Sequence, residues 1–145
     1  MRLGVIDYGA SNIHSVARAL KSLGSKVSIV DSPDKFKDLD KLVFPGQGSM
    51  GSCLKKLKEK EMISPLLEGI KSKPFLGICL GLQILFNSSE ESEERGLGII
   101  DGSITKIKDI DNENLKIPHM GWNNIKIEKR HELFSGIEDN QFFYF

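Results

Sequence analysis

Gly77-Ile78-Cys79-Leu80-Gly81 is the stretch on which the reading of this chain hinges. A short apolar run, Phe75 to Ile78, leads into it as a buried strand, and Leu80 to Phe86 follow with helical character. A cysteine between a strand and a helix, with glycine two places before and two after, has the pattern of a nucleophile elbow. Such a turn holds its nucleophile in a strained backbone conformation, and side chains at the flanking positions would collide with neighbouring elements. The sulfur of Cys79 is then expected at the carboxyl end of the sheet, where open α/β sheets place their ligands. The competing reading, a buried structural cysteine, needs both the glycines and the element order to be coincidence. Cys53, in Gly51-Ser52-Cys53-Leu54, lacks a preceding strand and a flanking glycine pair, and reads as a packing residue.

Working outward, Leu3 to Asp7 reads as a first buried strand, and Gly9-Ala10-Ser11-Asn12 as a turn ending in a helix cap. Ile13, Val16, Ala17, Leu20 and Leu23 keep helical spacing, and Gly24 is placed to end that helix. Lys26 to Val30 and Lys41 to Phe44 read as further strands, the second running into Pro45-Gly46-Gln47-Gly48. Leu54, Leu57, Ile63, Leu66, Leu67 and Ile70 outline one or two amphipathic helices, with Pro65 in a first turn. Alternation of strand and helix predicts an α/β fold: a parallel sheet with helices on both faces. Beyond it, Ile99, Ile104, Ile107, Ile125 and Ile127 sit in short alternating segments that suggest antiparallel strands or an edge extension. Residues 87–94 read as an acidic, Ser-rich solvated loop and 108–114 as a second polar loop. Gln141-Phe142-Phe143-Tyr144-Phe145 reads as part of a core strand.

The 145 residues suit a single domain, 1–145. Twenty Lys+Arg balance twenty Asp+Glu, which gives bulk charge no role in nucleic-acid binding. No apolar run approaches the ~20 residues of a membrane span. Met1 to Gly9 has no basic segment leading into an apolar stretch, and two cysteines fit a reducing compartment, so a cytoplasmic protein is expected. No metal or cofactor is expected. His131-Glu132 lacks the second histidine of a metalloprotease motif, because position 135 is Ser. Asp109-Ile110-Asp111 begins like a calcium loop, but position 114 is Asn where Gly is needed. Gly46-Gln47-Gly48-Ser49-Met50-Gly51 matches the dinucleotide spacing G-x-G-x-x-G, yet it follows the third strand instead of the first. A tight turn whose exposed N–H groups face an oxyanion near Cys79 is the better reading. A plain Pro-Gly turn is the bland one.

Gly77-Ile78-Cys79-Leu80-Gly81-Leu82-Gln83 resembles the nucleophile motif of class I, triad-type glutamine amidotransferases, and Pro45-Gly46-Gln47-Gly48 resembles their oxyanion turn. Asp7-Tyr8-Gly9-Ala10-Ser11-Asn12, Pro118-His119-Met120-Gly121-Trp122-Asn123 and Phe143-Tyr144-Phe145 narrow the resemblance to the amidotransferase subunits of imidazole glycerol phosphate synthase, of histidine biosynthesis. It extends from residue 1 to 145. The resemblance implies a flavodoxin-like three-layer α/β fold with a mainly parallel sheet and an antiparallel extension. It also implies glutamine hydrolysis through a cysteine thioester, with ammonia passed to a (β/α)8-barrel cyclase subunit. Carried over by motif, Cys79 is the nucleophile. The backbones of Gly48 and Leu80, beside Gly46, hold the oxyanion, and Gln83 contacts glutamine. Asn12, His119 and Trp122 face the synthase partner. Taken without the resemblance, Gln83 reads as a solvated helix residue, Trp122 as core and His119 as a loop residue.

The resemblance also implies a catalytic His-Pro-Glu stretch, and none of His14, His119 and His131 precedes Pro-Glu. The expectation is a domain lacking its C-terminal part, weak in glutaminase activity as a 145-residue chain. Two alternatives stand beside the leading reading. Amidotransferases that supply ammonia for amidination of bacterial surface sugars share these motifs. A catalytically dead module that binds the synthase subunit without hydrolysing glutamine fits the missing base.

Overall fold

The computed structural model describes residues 1–9, 12–107 and 117–145. The polar loop expected at 108–114, the calcium-like Asp109-Ile110-Asp111 pattern, and Ala10 and Ser11 lie outside the described residues. The chain divides into two compact units, Met1–Lys106 and Ile107–Phe145.

In the first unit, β1 (Arg2–Ile6), β2 (Lys26–Val30), β3 (Lys41–Gly46) and β4 (Phe75–Cys79) form one parallel sheet in the order β2-β1-β3-β4. Alternation along the strands splits the apolar side chains between two faces. Leu3, Val5 and Val43 pack with Ile13, Val16 and Leu20 of α1 (Ile13–Ser22) on one face. Ile6, Leu42 and Phe44 pack on the other with Cys53, Leu54 and Leu57 of α2 (Met50–Glu59) and Leu66 of α3 (Ile63–Ser72). Full burial of each such side chain contributes about 1.5–3 kcal/mol, so both helix layers are held by the sheet. Gly24, at φ +80°, follows α1 and donates to the Lys21 carbonyl at 3.0 Å. Leu23 belongs to the cap, not the apolar face, and is 80% exposed, contrary to the sequence expectation.

Further expectations need correction. Among the described residues β4 is an outer strand with only β3 beside it, so Leu76 and Ile78 are part-exposed instead of buried. The helix after Cys79, α4, covers only Leu80–Gln83. It stops because later chain captures its next carbonyls. Leu97 N–H donates to the Ile84 carbonyl at 2.7 Å, and Ile99 and Ile100 donate to that of Leu85 at 2.8 and 2.9 Å. Within the expected acidic loop, β5 (Ser88–Ser89) pairs with β6 (Ser103–Ile104), and the pairing is parallel, not antiparallel. Glu94 of that loop pairs with Lys58 at 3.0 Å.

The second unit contains an antiparallel pair, β7 (Trp122–Asn124) and β8 (Phe142–Tyr144). Trp122 stands edge-on to Tyr144 with ring centroids 5.7 Å apart. The side chains of Phe142 and Tyr144 are exposed, so the terminal aromatic run forms a strand but not a core one. Ile127 lies past β7 because its N–H goes to the Asp139 carboxylate, 2.6 Å away, and not to a ladder. No helix among the described residues is long and apolar enough to cross a membrane.

Candidate active site

Cys79 closes β4 and caps α4 with φ +53° and ψ −111°, a conformation that L-residues rarely adopt. The flanking glycines make this turn sterically feasible. A Cβ on Gly77 would run into the main chain of Gly81, and a Cβ on Gly81 would run into the Phe44 carbonyl. Neither glycine has a left-handed φ, so each is required by space and not by torsion. The packed glycines leave Cys79 exposed, while Cys53 is 1% exposed within the core. Burial pushes the Cys53 thiol up to about 12, in keeping with a packing role.

The second glycine turn lies alongside. Gly46 is the ladder partner of Cys79, so the Gly46-Gln47-Gly48 turn leaves β3 beside the point where the elbow leaves β4. Gly48, at φ +95°, is exposed, and a Cβ there would meet nothing within 4 Å. Its glycine is therefore set by torsion. Ser49 caps α2, its side chain accepting from Ser52 N–H at 3.4 Å.

Tyr8 lies just past β1, in a motif to which the sequence assigns it no role of its own. Its hydroxyl donates to the Gln47 carbonyl at 3.0 Å and accepts from the Gln47 N–H at 3.2 Å. Its ring stacks on Phe44 with centroids 5.5 Å apart. Burial, with Cys53 nearby, pushes the phenol up to about 12. Its place at the carboxyl end of the first strand, in the same rim as Cys79, is the signal the sequence carries for it.

The other expected residues are placed as follows. Leu80 opens α4 with its side chain buried. Gln83 ends α4 half-buried. Asn12 occupies the cap position of α1, but its side chain makes no capping bond. With Ile13, Val16, Gly46, Gln47 and Ile78 it lines a cavity of about 130 Å³ on the same rim. Cys79, Leu80, Gly46, Gly48, Gln83 and Asn12 all belong to the first unit. His119 and Trp122 belong to the second. There His119 Nε2 is 3.3 Å from the Asn123 amide, its ring is 5.5 Å from that of Phe145, and Trp122 is exposed. Among the described residues no group of three His, Cys, Asp or Glu side chains is arranged to hold a metal ion.

A strained, exposed cysteine at a strand-to-helix turn, beside a second glycine turn, makes a candidate nucleophile site, and comparison gives the chain a family. Residues 4–144 match glutamine amidotransferase class-I, and the chain belongs to that family. Within it, the chain is similar to imidazole glycerol phosphate synthase subunit HisH of Chromobacterium violaceum, 41% identical over 100% of this chain and 71% of that protein. The HisH subunit of Methanocaldococcus jannaschii is 45% identical over 99% of this chain and 70% of its own length. Among solved structures, one described as a glutamine amidotransferase superposes with a TM-score of 0.67 at 19% identity, over 84% of this chain and 62% of that one. It shares the fold.

Proposed function

We propose that this chain is the glutaminase subunit of an imidazole glycerol phosphate synthase, acting in histidine biosynthesis. Glutamine enters with its side-chain amide over Cys79. The thiolate bonds the amide carbon, and the N–H groups of Gly48 and Leu80 hold the oxygen as it becomes an oxyanion. Collapse breaks the C–N bond, and the nitrogen leaves as ammonia, taking up the proton that the Cys79 thiol gave up. Water then cleaves the thioester, freeing glutamate and the thiol. Gln83 contacts the substrate. Asn12, His119 and Trp122 face a (β/α)8-barrel cyclase that takes up the ammonia. Residues 1–145 act as one amidotransferase domain, a reading supported by the family match across both units. Two unpaired cysteines support a cytoplasmic setting.

The observation that carries this reading is the strained, exposed Cys79 set between Gly77 and Gly81 with Gly46 as its ladder neighbour. Labelling with the chloromethyl ketone analogue of glutamine tests it. Stoichiometric modification of Cys79, blocked by glutamine, is expected; no modification would overturn the reading.

A further inference from the structure

The Tyr8 hydroxyl is bonded to both main-chain polar atoms of Gln47, across a sequence separation of 39 residues. The two atoms belong to different peptide planes. The Gln47 N–H lies in the 46–47 plane, and the Gln47 carbonyl lies in the 47–48 plane together with the Gly48 N–H. In a trans peptide the carbonyl and the following N–H point in opposite directions. Holding the Gln47 carbonyl against buried Tyr8 therefore turns the Gly48 N–H away from the core. Glycine at 48 imposes no side-chain preference on that plane, and its φ of +95° lies where both orientations are open to it. The orientation is left to the hydroxyl.

We infer that Tyr8 is a positioning residue: its two-way hydrogen bond to Gln47 sets the 47–48 peptide plane and so presents the Gly48 N–H as an oxyanion donor beside Cys79. The inference rests on the oxyanion role proposed above for Gly48. The bond to the Gln47 carbonyl needs a protonated phenol, and burial keeps the Tyr8 proton in place toward pH 12.

The test uses the 145-residue chain and two alkylating reagents that both reach Cys79. The chloromethyl ketone analogue of glutamine brings its carbonyl oxygen to the turn as sulfur bonds carbon and chloride leaves. Iodoacetamide alkylates the same thiol without glutamine-like placement. Tyr8→Phe keeps the ring and its stack but loses both hydrogen bonds. It is expected to lower the chloroketone rate, relative to the iodoacetamide rate, about tenfold or more, since losing an oxyanion donor costs ~10²–10³ in related sites. para-Aminophenylalanine at position 8, which restores a donor toward the Gln47 carbonyl, should recover most of the ratio. Phe44→Leu removes the stacking partner and is expected to lower the melting temperature with the ratio preserved. Buried Cys53 must stay unlabelled in each variant, which reports an intact core. A Tyr8→Phe ratio within about twofold of the unaltered chain overturns the inference, as does an equal loss in Phe44→Leu. Failure of the chloroketone to label Cys79 in the unaltered chain instead overturns the amidotransferase reading, and this inference with it.

Discussion

Gly46 and Cys79 face each other across the β3–β4 ladder, at the end where both strands leave the sheet. Adjacent strands lie about 4.8 Å apart, so the turn that follows Gly46 begins a single strand spacing from the residue that bears the sulfur. The register of the two strands brings the turn and the elbow together.

The contrast between the two thiols is directly measurable. Cys79 is exposed and Cys53 is sealed in the core. The folded chain is expected to release one equivalent of thionitrobenzoate from a disulfide reagent, and two in denaturant. Cys79→Ala should release none while folded. A second rapid equivalent from the folded chain would contradict the burial of Cys53.

Gly77→Ala and Gly81→Ala should each destabilise the fold by about 1–3 kcal/mol or more, the range for forcing atoms into filled space. Gly48→Ala meets open space and is expected to cost roughly 1–2 kcal/mol from its left-handed torsion alone. Urea denaturation of the three variants would check the order. A Gly81→Ala chain as stable as the unaltered one would refute the close approach to the Phe44 carbonyl.

Much of this was foreseeable from the residues. Lys26 to Val30 is a strand in both readings, because an apolar, β-branched run bounded by a glycine turn and Asp31-Ser32-Pro33 has few other uses. The elbow was visible because glycine spacing around a nucleophile is a local pattern. The atoms that enforce it were not, since the Phe44 carbonyl reaches Gly81 only through folding. The same holds for Tyr8, whose partner is distant in sequence. Exposure of Leu76 and Ile78 depends on what lies beside β4, and strand periodicity carries no information on neighbours. The sequence makes the helix after Cys79 too long because apolar spacing continues through Phe86, while the competing donors sit at Leu97, Ile99 and Ile100.

A polypeptide of these 145 residues is expected to hydrolyse glutamine slowly. Loss of triad members lowers turnover by about 10⁴-fold or more, and no histidine here precedes Pro-Glu. Glutamate release, followed by a coupled dehydrogenase, is the measurement. Rapid release abolished by Cys79→Ala would show that another group in the chain serves as the base.

Alkaline pH should destabilise the fold. Burial raises Cys53 from 9.0 and Tyr8 from 10.0, each to about 12 in the folded chain. Between those values the unfolded chain has released protons that the folded chain still holds, so ionisation favours unfolding. Stability is complete below about pH 9 and declines as pH rises toward 12. Cys53→Ala should lower the melting temperature at neutral pH but flatten its fall above pH 9. Unchanged melting from pH 8 to 11 would contradict the burial of both groups.

The contact between Gly81 and the Phe44 carbonyl also bears on how such a chain decays in descent. The constraint at position 81 is the room for one methyl group, so all larger replacements fail together, whatever their chemistry. Position 79 is the reverse case, an outward side chain that no packing requires. A lineage released from catalysis but still selected to fold would keep both glycines and let the cysteine drift. One that loses the glycines as well has stopped maintaining the fold, and the two histories leave different spellings of the same five residues.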